Sequence, residues 1–270
     1  MKCESDDQLG PVLFIPHGGG PLPLLGDQGH QNLVDFLQEI RPSLGQPSAI
    51  VVISAHWEES RVTITSGATP ALIYDYYGFP DEAYRIQYPV PGSPGLADKI
   101  LRLLQHSGIS SRLDSRRGFD HGLFVPLKIM FPAAEIPCVQ LSLVNSLDPA
   151  THIKIGKALA DLRKDNVAII GSGFSFHNLN AFFAPGREEH DAKNEAFEAW
   201  LIDTCTKDDL SSQEREARLI DWRNAPYADY CHPREEHLLP LHVCAGFTSA
   251  PAKLVFEGRI LGKKASAFLW

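Results

Sequence analysis

Four histidines sit where an apolar run meets small or polar residues. His17 follows Leu13–Pro16 and opens three glycines in LFIPHGGGPLP. His56 follows a β-branched run in VVISAHWEES, and His177 follows another in IIGSGFSFHNL. His237 precedes an apolar segment in CHPREEHLLPLHV. Imidazole moves protons near neutrality and is the commonest metal-ligating side chain. The His-Gly-Gly-Gly run has two readings. It is the oxyanion-hole loop of a serine esterase, or a metal-binding histidine at a strand end whose loop glycine keeps open.

The esterase reading needs a G-x-S-x-G elbow. The nearest match is Gly173-Phe174-Ser175-Phe176-His177, where histidine replaces the second glycine and would crowd the strained turn. His237 comes late enough to serve as a triad histidine, so this reading is weakened and stays open. The same stretch fails the dinucleotide fingerprint, since Phe176 holds the third glycine position. His17, His56 and His237 would give three neutral ligands, which with open positions make a catalytic metal site. For His30, His106, His152, His190 and His242 the reading is a surface or hydrogen-bonded residue.

Side chains this far apart in sequence must be gathered by the fold. PVLFIP (11–16), AIVVIS (49–54), IPCVQLSL (136–143) and VAIIGSG (167–173) read as buried strands. RVTIT (61–65) alternates like a strand near an edge, and KLVFEGRIL (253–261) reads as a late strand or hairpin. Between them lie helical patterns. Leu33, Phe36, Leu37 and Ile40 share one face, Ser93-Pro94 opens a helix that stops at Gly108, and Asp148-Pro149 opens another. A further helix covers 188–206, and the polar stretch 207–236 reads as a long excursion over the surface. The alternation predicts an α/β fold: a single domain over residues 1–270, with a central mixed, largely parallel sheet flanked by helices. Ligands of such sheets bind outside the carboxyl ends of the strands, which is where His17, His56 and His177 fall.

The chain has 270 residues, of which 44% are hydrophobic and 21% charged, enough for a substantial core. A net charge of −8 argues against a general nucleic-acid binder. The basic DSRRG at 114–118 reads as a solvated loop. MKCESDDQLG lacks a secretory apolar region, and no apolar run nears the ~20 residues of a membrane span. Cys3, Cys138, Cys205, Cys231 and Cys244 are odd in number and scattered, as expected of reduced thiols in a cytoplasmic protein.

In order along the chain, PHGGGP, SAHWEE, YDYYGFPDEAYRIQYPVPGSP, GFDHGLFVPLKIMFP, IPCVQLSL, FHNL and HPREEHLLPLHV resemble the class III extradiol ring-cleavage dioxygenases, nearest to the 4,5-DOPA dioxygenase branch. The likeness runs from about residue 11 to 245. It implies a non-haem Fe(II) centre with His17, His56 and His237 as ligands. His177 is implied as the acid/base or a further ligand, and His121, in GFDHG, as a second active-site histidine. His232 and Asp75 are implied to lie near the substrate. The implied partners are a catechol and O2, opened together to a semialdehyde. Protocatechuate-type members of the superfamily use a glutamate as third ligand, whereas histidine stands here. Three neutral imidazoles also suit Zn(II), so zinc is an alternative occupant as isolated. Two rivals remain: a zinc-dependent hydrolase on the same histidines, and a non-catalytic member of the fold. A homo-oligomer is left open.

Overall fold

The computed structural model describes residues 9–182 and 187–270. Its strands are β1 Val12–Pro16, β2 Ala49–Glu59, β3 Val62–Thr65, β4 Ser111–Asp114, β5 Cys138–Val144, β6 Val167–Gly173, β7 Lys253–Ile260 and β8 Lys263–Leu269. Among the described residues they form one eight-stranded sheet in the order β4-β3-β5-β2-β6-β1-β8-β7. The centre is parallel, with β5, β2, β6 and β1 running the same way. β3 runs antiparallel to β5, and β8 antiparallel to β1, so the sheet is mixed, as the alternating pattern predicted.

The helices are α1 Gln31–Glu39, α2 Pro94–His106, α3 His121–Met130, α4 Pro149–Ala158, α5 Leu179–Phe182, α6 Arg187–Thr206, α7 Ser212–Ile220, α8 Ala228–Cys231 and α9 Leu239–Gly246. Side chains on a strand alternate between faces, and β6 shows which helix covers which face. A Cβ on Gly171 would meet α9 at the Pro240 carbonyl, 2.7 Å away. Ser172, pointing the other way, touches Gly122 of α3. The central strands are therefore covered on both sides, which is why they read as unbroken Val/Ile/Leu runs.

Two stretches depart from the sequence expectation. Residues 111–114 pair as β4 beside β3, although SRLD is too short and polar to show a strand period. Residues 207–236 do run over the surface, but as short helices anchored by buried residues. α7 opens with a reciprocal cap between Ser211 and Glu214. Arg215 is buried and donates to the carbonyls of Thr204, Lys207 and Leu210, and Trp222 is fully buried. Most of the polar residues there are exposed. No described helix is long and apolar enough to cross a membrane.

Candidate metal centre

Three neighbouring strands aim at one point. β1 delivers His17 one residue past its end, where the His17 backbone N–H donates to the Gly173 carbonyl of β6 at 3.1 Å. β2 carries His56 within the strand rather than after it. Its pairing with β5 slips between Ile53 and Glu58, and such a bulge re-aims the side chain it contains. β6 ends at Gly173, and His177 follows in the loop. The loop before α9 supplies His237. Its carbonyl accepts the Phe174 N–H at 2.9 Å, and a Cβ on Gly173 would lie 2.1 Å from that oxygen. Glycine at 173 is thus what allows the His237 loop onto the sheet end.

The result is a tight cluster of imidazoles. The Nε2 atoms of His17 and His56 are 2.9 Å apart. Ligand atoms of His17, His56 and His237 all lie within 4.8 Å of one another. Burial, aided by the neighbouring His56, holds His17 well below the ordinary imidazole pKa of 6.5. Burial, aided by His177, does the same for His237, and burial with His121 does so for His56. All three are therefore neutral and able to offer lone pairs. Metal–nitrogen bonds of about 2.0–2.1 Å set at right angles place two nitrogens about 3 Å apart, close to the spacing of His17 and His56. The donor set thus fits a divalent transition metal.

Two carboxylates brace the cluster, each on a different pair of imidazoles. Asp75 Oδ1 lies 2.8 Å from His121 Nδ1 and accepts the His121 backbone N–H at 3.0 Å. Its Oδ2 is 3.9 Å from His56 Nδ1. Burial alone would raise the Asp75 pKa, but the His121 hydrogen bond prevails and holds it below the usual range. Glu236 Oε1 lies 2.9 Å from Nδ1 of both His177 and His237, whose rings stack at 3.4 Å between centroids. Burial opposes ionisation of Glu236 too, and again the hydrogen bond from His177 wins. With each Nδ1–H committed to a carboxylate, the Nε2 atoms of His121, His177 and His237 are left free for chemistry.

Exposure marks the opening. The side chains of His56, His177 and Asp75 are 20–23% exposed, while His17, His121 and His237 are buried. His232 is fully buried one layer deeper. Its Nε2–H donates to the Ser175 carbonyl at 2.8 Å, and the Cys231 carbonyl beside it accepts the His177 backbone N–H. Tyr74 and Tyr76 donate their hydroxyls to the Ile86 and Ala83 carbonyls, so this aromatic loop is held by its own packing.

Other histidines stand apart. His30 accepts the Gly19 N–H at 2.9 Å and pairs with Asp27, shaping the glycine loop. His152 and His242 are buried on backbone groups. The His190 side chain and Cys3 lie outside the described residues; Cys138, Cys205, Cys231 and Cys244 are free and buried. The sequence reading missed Glu236 as a shared acceptor and Ser172 beneath His17. Glu236 had a visible signal in its place beside His237; Ser172 had none.

A family model described as the catalytic LigB subunit of aromatic ring-opening dioxygenase matches residues 11–262. The chain is 39% identical over 279 residues to "Dioxygenase tasH" of Hapsidospora irregularis, covering 97% of this chain and 86% of that protein. It is 37% identical over 253 residues to "4,5-DOPA dioxygenase extradiol" of Beta vulgaris, covering 92% and 91%. A crystal structure of an uncharacterized Escherichia coli K12 protein matches with a TM-score of 0.77 at 30% identity, covering 96% of this chain and 98% of that one.

Proposed function

From the premise that this chain belongs to the LigB family of extradiol aromatic ring-opening dioxygenases, we propose that it opens a catechol to a semialdehyde with both atoms of O2, using Fe(II). The observation that carries this reading is the convergence of His17, His56 and His237 beside two carboxylate-braced imidazoles. The proposal takes residues 1–270 as one catalytic domain, supported by a single sheet whose strands span residues 12–269. The buried free thiols support a cytoplasmic placement.

His17, His56 and His237 would hold the metal through Nε2. A ferrous ion supplies the electron passage between an aromatic diol and O2 that redox-inert zinc lacks. The chain's own residues do the rest. The substrate enters past His56, His177 and Asp75, the exposed members of the cluster. His177 takes a hydroxyl proton at Nε2, and Glu236 at its Nδ1–H stabilises the imidazolium that forms. His121, held by Asp75, keeps Nε2 free and donates or accepts a proton there. Buried walls at His17, His121 and His237 exclude water. His232 supports the segment that carries His177.

The test is anaerobic loading with Fe(II) or Zn(II), then a panel of catechols with oxygen uptake and coloured product followed together. The expected result is uptake and colour with Fe(II) alone. Equal turnover with Zn(II), or product without oxygen uptake, overturns the proposal in favour of a hydrolase. Metal binding with no turnover of any catechol favours a non-catalytic member.

A further inference from the structure

Pro126 stands inside α3, where its ring nitrogen has no hydrogen for the carbonyl four residues back, that of Gly122. Gly122 is buried, so its carbonyl needs another donor. The Ser172 hydroxyl of β6 provides it, donating to the Gly122 oxygen at 2.5 Å. A hydroxyl has one hydrogen. With that hydrogen committed, the 3.1 Å contact between Ser172 Oγ and His17 Nδ1 runs one way only: Nδ1–H donates and Oγ accepts. Ser172 is fully buried, so it has no solvent partner to choose instead. A neutral imidazole carries one N–H, hence His17 Nε2 is bare and faces His56.

We infer that Pro126 and Ser172 together fix the tautomer of His17, which makes Ser172 a positioning residue for the metal centre. The inference rests on the proposed ligand set His17, His56 and His237. With an ordinary residue at 126, its N–H would satisfy the Gly122 carbonyl. Ser172 could then donate to Nδ1 and drive the imidazole proton onto Nε2, where the cation must bind. The charge of His17 is the same in both arrangements; only the side of the ring that offers the lone pair changes.

The test compares the parent chain with His17→Ala, Ser172→Ala, Pro126→Ala and the Ser172→Ala/Pro126→Ala double variant. Zn(II) affinity is measured by calorimetry, thermal melting is followed on the metal-free chains, and the tautomer is read from imidazole 15N shifts of the metal-free parent. The parent is expected to show His17 protonated at Nδ1. Ser172→Ala is expected to melt lower and bind zinc about 10-fold more weakly, the usual scale for a group behind a ligand. The double variant regains part of the melting temperature, because the amide at 126 reaches Gly122, but keeps the weakened zinc binding. Recovery of both together, parent-like affinity in Ser172→Ala, or a His17 proton on Nε2 would overturn the inference. If Ser172→Ala alone does not fold, the double variant against the parent decides by the same zinc criterion. Pro126→Ala, which frees the Ser172 hydroxyl to donate to Nδ1, is itself expected to bind zinc more weakly than the parent. A parent that binds no zinc, or a His17→Ala that binds as well as the parent, instead overturns the ligand set.

Discussion

Arg234 grips both carboxylate oxygens of Glu58 at 2.6 Å. Glu58 lies two residues past His56 on β2, and Arg234 lies three before His237. The pair therefore ties the strand bearing one proposed ligand to the loop bearing another, and Arg234 Nη1 also stands 3.5 Å from Glu236 Oε2.

Replacing Arg234 with Ala should barely change global stability, because the pair is half exposed and such pairs contribute about 0–1 kcal/mol. Metal affinity should fall several-fold, since the two ligand-bearing segments lose their tie. Lys at 234 should recover only part, because a point charge cannot take a carboxylate in two parallel bonds. Zinc titration alongside urea unfolding checks both parts; unchanged affinity would make the bridge a surface ornament.

Glu236→Gln keeps a hydrogen-bond acceptor for His177 and His237 but removes the charge. Turnover should drop by about 10- to 100-fold, with kcat falling more than KM rises, because the charge matters most once His177 has taken a proton. Steady-state kinetics on the Fe(II)-loaded variant decides. A rise in KM alone would point to substrate binding instead.

Gly173→Ala puts a methyl 2.1 Å from the His237 carbonyl. The loop must move or the strand end must bend, at about 1–3 kcal/mol. Zinc affinity and urea midpoint should both fall. A variant that binds zinc like the parent would mean the loop relaxes without moving the His237 ring.

Glu198 is buried away from the metal cluster, accepts the Ser266 hydroxyl at 2.6 Å, and is pushed by burial up to about 7. The folded state thus holds a proton that the unfolded chain, with its ordinary carboxyl near 4.5, gives up earlier. Stability from this group is full below about 4.5 and is lost as pH rises through 7, by a few kcal/mol in all. Glu198→Gln should remove that loss, so its stability relative to the parent should grow between pH 5 and 8. Urea unfolding at several pH values tests it; parallel curves would refute it.

Much of this was legible in the residue string. Buried parallel strands need apolar side chains on both faces, so β1, β2, β5 and β6 stood out, and with them the strand ends that place His17 and His177. His56 was read as lying after β2 because a bulge leaves no mark in composition. β4 was missed because four residues of SRLD carry no period. The segment 207–236 read as solvated because most of its polar residues are exposed; the burial of Arg215 escaped notice because it depends on carbonyls that only the folded chain brings near. The pairing of Asp75 with His121, and of one Glu236 oxygen with two imidazoles, depends on loop geometry that no local pattern encodes.

The proposed ligands at 17, 56 and 237 have a consequence for biogenesis. A nascent fragment ending ahead of residue 237 holds only two of the three proposed ligands and no complete cage. On that ligand set, the cation gains its full set of imidazoles only once residue 237 has been added and folded against the strand ends.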